Sequence, residues 1–137
     1  MLLRSIFLFL TTLFLLEGCM PLPHIRQLKP ELNGTLNSRG SPLSGTRIQF
    51  CAKGLVPENC EQFKETITDE QGFFHFNGES ELEFFAWLIG DPLYAYGIKV
   101  SYDSRELEWS DGGIGYSPDH VILHCEITEQ LLCTSEL

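Results

Sequence analysis

The chain has 137 residues and a formal net charge of −10, from 19 acidic and 9 basic side chains. That balance excludes the basic surface needed to bind nucleic acid or to adhere directly to anionic lipid. Hydrophobic residues make up 43% of the chain, enough for a buried core, and the length suits one domain.

Residues 1–18, MLLRSIFLFLTTLFLLEG, set Arg4 ahead of an apolar run from Ser5 to Leu16. A short charged region followed by a run of this length is the pattern of a signal peptide. The alternative is an uncleaved N-terminal anchor helix, but a membrane-spanning helix needs about 20 apolar residues. At the end of the run, Leu16-Glu17-Gly18-Cys19 resembles a bacterial lipobox: an aliphatic residue, a variable one, a small one, then cysteine. The resemblance implies cleavage before Cys19 and acylation of that residue. Met20 stands where an aspartate would imply inner-membrane retention, so the expected address is the outer membrane, facing the periplasm. At about 0.8 kcal/mol per buried methylene, two or three acyl chains hold a domain firmly. Arg4 and Glu17 leave together, so the mature chain keeps its charge of −10.

Residues 20–30, MPLPHIRQLKP, hold three prolines and no periodicity, and read with Cys19 as a flexible lipidated tether over 19–30. From residue 31 to the end, short β-branched and aromatic runs alternate with Gly, Pro, Asn, Asp and Ser. ELNGTLN is a first strand with Leu32 and Leu36 on one face, and NSRGSPLSG is a turn. TRIQFCA puts Thr46, Ile48, Phe50 and Ala52 opposite Arg47, Gln49 and Cys51. EQFKETITD places Phe63 and Ile67 on one face, with Lys64, Thr66 and Thr68 on the other. FFHFNG aligns Phe74 with Phe76. GIKVSYD aligns Ile98, Val100 and Tyr102, extended by Tyr94 and Tyr96. RELEWSD turns Leu107 and Trp109 inward, and HVILHCEIT aligns Val121, Leu123, Cys125 and Ile127. ELEFFAWLIG, residues 81–90, is read as a strand, with a short helix as the alternative. These elements predict an all-β fold: a single antiparallel sandwich of seven or eight strands over residues 31–137.

Five cysteines are an odd number for an exported chain, but setting Cys19 aside as the lipid site leaves Cys51, Cys60, Cys125 and Cys133. An even set predicts two disulfides in an oxidising compartment. Three pairings are open. Cys51–Cys60 and Cys125–Cys133 are favoured because each closes a short loop. No CxxC spacing is present, so no zinc site is inferred.

Gly34, the turn Pro42-Leu43-Ser44-Gly45 and the run Thr66-Ile67-Thr68-Asp69-Glu70-Gln71-Gly72-Phe73-Phe74-His75-Phe76 occur in that order. Together they resemble carboxypeptidase regulatory-like, or transthyretin-like, β-sandwich domains, and DPLYAYGIKVSY looks like a divergent form of a later strand of that family. The resemblance is clear over about residues 31–76. It implies a Greek-key sandwich, and a scaffolding or interaction role rather than hydrolysis. The residues of TDEQGFFHF form a turn in their own right. Asp69 can accept backbone amides, Gly72 suits a positive φ, and Phe74 and Phe76 enter the core, so the stretch is expected to make a hairpin.

No residue is assigned a catalytic role. His120 and His124 are about 13 Å apart along one strand, too far for one metal. His75 has no necessary base or nucleophile beside it. Glu79, Glu81 and Glu83 share a face, read as solvated rather than as a calcium site. SDGGIGYSPD, residues 110–119, is the most suggestive loop, either a partner contact or a plain connector. The expected function is a non-enzymatic envelope lipoprotein without a cofactor or small-molecule ligand, engaging an envelope or secretion-system protein. A transthyretin-like hydrolase of hydroxyisourate is one alternative, but that family relies on a YRGS-like C-terminus and this chain ends CTSEL. A secreted, unanchored transthyretin-like binding protein is the other.

Overall fold

A computed structural model describes residues 24–52, 63–83 and 93–137. The signal peptide, Cys19, residues 20–23 of the tether, Cys60 and residues 84–90 of the strand-or-helix segment lie outside the described residues. Eleven strands occur in chain order: β1 (His24–Lys29), β2 (Glu31–Ser38), β3 (Ser41–Pro42), β4 (Arg47–Cys51), β5 (Lys64–Ile67), β6 (Phe73–Phe76), β7 (Glu79–Glu83), β8 (Leu93–Tyr102), β9 (Arg105–Ile114), β10 (His120–Ile127) and β11 (Leu131–Glu136). No helix is present among the described residues.

The strands form a β-sandwich, but not the single sandwich of seven or eight antiparallel strands expected. One sheet has the order β11-β10-β2, after which β2 pairs with β6 along its first half and with β3 at its end. The second has the order β5-β4-β8-β9, and β1 pairs with β7 in a separate two-stranded sheet. β10 runs parallel to β2, from His120 opposite Glu31 to Ile127 opposite Ser38. The other pairings are antiparallel. The strands beyond the expected count are β1, β3 and β11. β1 replaces the distal part of the expected flexible tether, whose three prolines and irregular pattern conceal a strand that is exposed along much of its length.

The core lies between the two larger sheets. Leu32, Leu36, Phe74, Phe76, Val121, Leu123, Cys125 and Ile127 come from one, and Ile48, Phe50, Tyr96, Ile98 and Val100 from the other. All are buried, as period-two alternation requires of strands packed on one face. Phe50 and Phe76 join the layers with ring centroids 5.1 Å apart. Gly34 makes room for this packing. A Cβ built on it would sit 2.3 Å from the ring of Phe74, its partner across the β2–β6 ladder.

On β5 the alternation holds and its polarity is reversed. Ile67 is 64% exposed and Phe63 is also exposed, whereas Thr68 is 3% exposed. β5 is a sheet edge, and the Lys99 ammonium lies 5.6 Å from the Phe63 ring centroid. The buried Thr68 serves the neighbouring turn. Its hydroxyl accepts from Thr46 N–H (2.9 Å) and donates to the Leu43 carbonyl (2.6 Å), while its carbonyl accepts from Gly45 N–H (2.9 Å). The two most recognisable stretches of the sequence, around residues 42–45 and 66–76, are thus clasped together by one threonine.

The turn after Thr68 is an inter-sheet corner rather than a hairpin. β5 pairs with β4 in one layer and β6 pairs with β2 in the other. Asp69 Oδ1 accepts from the amides of Gln71 (2.9 Å) and Phe73 (2.8 Å), and Gly72 N–H donates to Asp69 O (3.0 Å). Gly72 has φ 73°, and a Cβ there would lie 2.5 Å from Leu36 O. Gly72 O in turn accepts from Leu36 N–H (2.8 Å), pinning the corner to β2. Hairpin turns join consecutive strands elsewhere: β10 and β11 through the three residues 128–130, and two pairs through two residues, Arg39-Gly40 between β2 and β3 and Asp103-Ser104 between β8 and β9. All four residues of the two-residue turns have positive φ, as a twist-matched two-residue hairpin demands.

Candidate functional site

The first half of the stretch at 110–119 is strand. β9 continues to Ile114, pairing Gly113 with Tyr94 and Gly112 with Ala95, so only 115–119 is loop. The glycines serve close approach. A Cβ on Gly112 would lie 2.5 Å from Tyr94 O, and one on Gly113 would lie 2.9 Å from the Tyr94 hydroxyl, whose ring covers the bare backbone. An aromatic ring over a cross-strand glycine restores the packing that the glycine lacks.

This end of the β8–β9 pair forms an open hollow of about 330 Å³, lined by Leu93, Tyr94, Ser110, Asp111, Gly113 and Ile114 among others. Leu93 and Ile114 are cross-strand partners and both are exposed. Behind the hollow, Tyr96 stacks parallel to Tyr94 with centroids 6.3 Å apart. The Tyr96 hydroxyl donates to Asp111 Oδ2 (3.3 Å), and Ser135 Oγ donates to the same oxygen (3.3 Å), linking β8 to β9 and to β11 of the other sheet. Burial, aided by the Asp111 carboxylate, pushes the Tyr96 phenol up to about 12. That phenol is a structural donor at neutral pH and not an acid–base group. A hollow with apolar walls and a glycine floor, whose rim carboxylate already accepts from Tyr96, Ser135 and Gly112, can receive an apolar side chain.

His75, His120 and His124 lie on the outer face of the β11-β10-β2-β6 sheet. The parallel pairing sets Thr35 beside His124 and Glu31 beside His120, while β6 brings in His75 opposite Asn33. His75 Nδ1 and Nε2 lie 2.7 and 3.0 Å from the side-chain oxygens of Asn33 and Asn77. Glu31 stands between His75 (3.9 Å) and His120 (3.8 Å), and Thr35 Oγ1 is 3.2 Å from His124 Nδ1. Sequence spacing identified the His120–His124 pair but missed the bridging of His75 and His120 through Glu31 and Asn33, which depends on a parallel strand pairing. No group of three or more metal-ligating side chains with a geometry suited to an ion occurs among the described residues.

The acidic face of β7 is met by cations from β1 and β5. Glu79 pairs with Lys29 (3.0 Å) and with Lys64, and these two bonds hold its carboxyl below the usual carboxylate range. Arg26 stands opposite Glu81 in the register. Lys99 is likewise taken by Glu108 (2.8 Å) and Glu106 (3.6 Å).

Cys125 and Cys133 are directly opposed across β10 and β11, with Cα atoms 4.1 Å apart, and form a disulfide. Cys51, at the end of β4, is also disulfide-bonded. No protein-family model matches the chain, and no curated protein matches it significantly.

Proposed function

We propose that the chain is a non-enzymatic lipoprotein of the bacterial envelope. In this reading a transthyretin-like sandwich is held to the outer membrane by acylated Cys19, faces the periplasm and engages another envelope or secretion-system protein. The observation that carries it is Leu16-Glu17-Gly18-Cys19 at the end of an apolar run. The bonded state of Cys51, Cys125 and Cys133 supports it, because disulfides persist in exported proteins. The transthyretin-like assignment is supported by the Thr68 clasp and the Asp69–Gly72 corner, which give the recognisable stretches a shared structural task. The hollow at the end of β8 and β9 is the contact site assigned to the partner, since its polar groups are tied up in holding strands together.

Two measurements test this. Mass spectrometry of the mature N-terminus should find acyl chains on Cys19, and an unmodified N-terminus elsewhere overturns the anchor. Crosslinking in intact envelopes followed by pull-down should capture a reproducible protein that is lost in an Ile114→Asp variant. Unchanged capture by that variant rejects the contact site, and repeated failure to capture any protein rejects the interaction role.

A further inference from the structure

β1 and β7 are the continuation of β2 and β6. The pairing Leu32↔Phe76 steps directly to Lys29↔Glu79, and then shifts by one residue at Leu28 before resuming as Arg26↔Glu81 and Ile25↔Leu82. Pro30 has no amide to carry the ladder, and a Cβ on Gly78 would lie 2.8 Å from Glu31 N, so the ladder is interrupted there. Beyond the interruption β1 and β7 pair with no other strand among the described residues.

The free ribbon has two unlike faces. One carries Arg26, Glu81 and the Lys29–Glu79 ion pair. The other carries the cross-strand pair Ile25 and Leu82, 75% and 57% exposed, at its outer end, and Gln27 beside Ser80 next to the shift. A two-stranded ribbon is marginal in water, so an exposed apolar pair at its outer end calls for a surface to pack on. The ribbon's place in the chain identifies that surface. Ile25 is six residues after Cys19, and six extended residues reach only about 20 Å. An acyl anchor at Cys19 therefore confines Ile25 and Leu82 to the neighbourhood of the headgroups, where an amphipathic element sinks its apolar side into the interface.

We propose that the β1–β7 ribbon is a membrane-facing stalk whose Ile25–Leu82 pair rests in the lipid leaflet that holds the acyl chains of Cys19. The proposal rests on the lipoprotein reading. The stalk fixes the orientation of the sandwich and sets the domain, with its charge of −10, back from anionic headgroups.

The test uses the full chain, expressed in a bacterial host with a photo-crosslinking phenylalanine derivative at position 25, 82 or 67. Ile67 is the control, exposed on an edge strand of the sandwich itself. After irradiation of whole membranes, peptides bearing positions 25 and 82 should carry phospholipid adducts, and the peptide bearing position 67 should carry none. The peptide containing Cys19 is weighed in the same digest. Acylated Cys19 without lipid adducts at 25 and 82 overturns the stalk alone. Crosslinks from 25 or 82 to another part of the chain or to a second protein also overturn it, because the face is then covered by protein. Unacylated Cys19 overturns the anchor, and the stalk falls with it.

Discussion

Replacing Thr68 by valine isolates the clasp between the two most recognisable stretches of the sequence. Valine keeps the branched shape and removes one hydroxyl, which accepts from Thr46 N–H and donates to the Leu43 carbonyl. Thr68 is buried, so water does not take the hydroxyl's place. Two hydrogen bonds are worth about 0.5–1.5 kcal/mol each in net terms, and the Thr46 amide left buried without its partner adds roughly 1–3 kcal/mol. The expected loss is about 2–6 kcal/mol, enough to lower Tm by on the order of 10 °C or more in a domain of this size. Urea unfolding followed by far-ultraviolet circular dichroism measures it, and the slope with denaturant should not change. Thr68→Ser keeps the hydroxyl and should recover most of the stability. A Thr68→Val protein within about 0.5 kcal/mol of the parent refutes the clasp.

Gly34→Ala should destabilise by about 1–3 kcal/mol, because the new methyl would overlap the buried Phe74 ring and force it to shift; a neutral result in thermal melts would mean the ring is free to move. Tyr96, its phenol held at about 12 against 10.0, is neutral in the fold and contributes stability that is complete below pH 10 and lost between pH 10 and 12. Tyr96→Phe should remove that alkaline loss, worth at most about 2–3 kcal/mol, and equal losses in both proteins reject the assignment. Non-reducing peptide mapping should join Cys51 to Cys60. A Cys51–Cys19 peptide would refute both that bond and the lipid site.

The core was legible in the sequence because it rests on period-two alternation. Leu32 with Leu36, Ile48 with Phe50, and Val121 with Leu123, Cys125 and Ile127 turn inward together. Ile67 shows where alternation stops being informative. It fixes which residues share a face, but not which face is covered, and an edge strand with a buried threonine reverses the expected answer. The glycines of 110–115 misled for a related reason. Glycine marks either a turn or a close approach, and Gly112 and Gly113 mark the approach of Tyr94 across a ladder. β11 went unread because its serine, threonine and glutamate are exposed, and its place in the sheet comes from pairing with β10 and from Cys133.

Least legible was what long-range pairing does to charge. Read linearly, Glu79, Glu81 and Glu83 are an acidic run and Arg26 and Lys29 belong to a proline-rich tether. Folding puts Lys29 and Lys64 on Glu79, and sets Arg26 across from Glu81. Lys99 on β8 is taken by Glu106 and Glu108 on the neighbouring strand β9. Lysines committed to such internal pairs offer little cationic surface, so the charge of −10 shows to the outside as carboxylates. Anionic partners are disfavoured by this distribution, and so is an anionic membrane surface. A sandwich of this kind stays near a bilayer only by apolar means: an acyl chain, an apolar strand face, or both. This makes the proposed seat of the Ile25–Leu82 pair and the proposed Cys19 anchor parts of one physical problem.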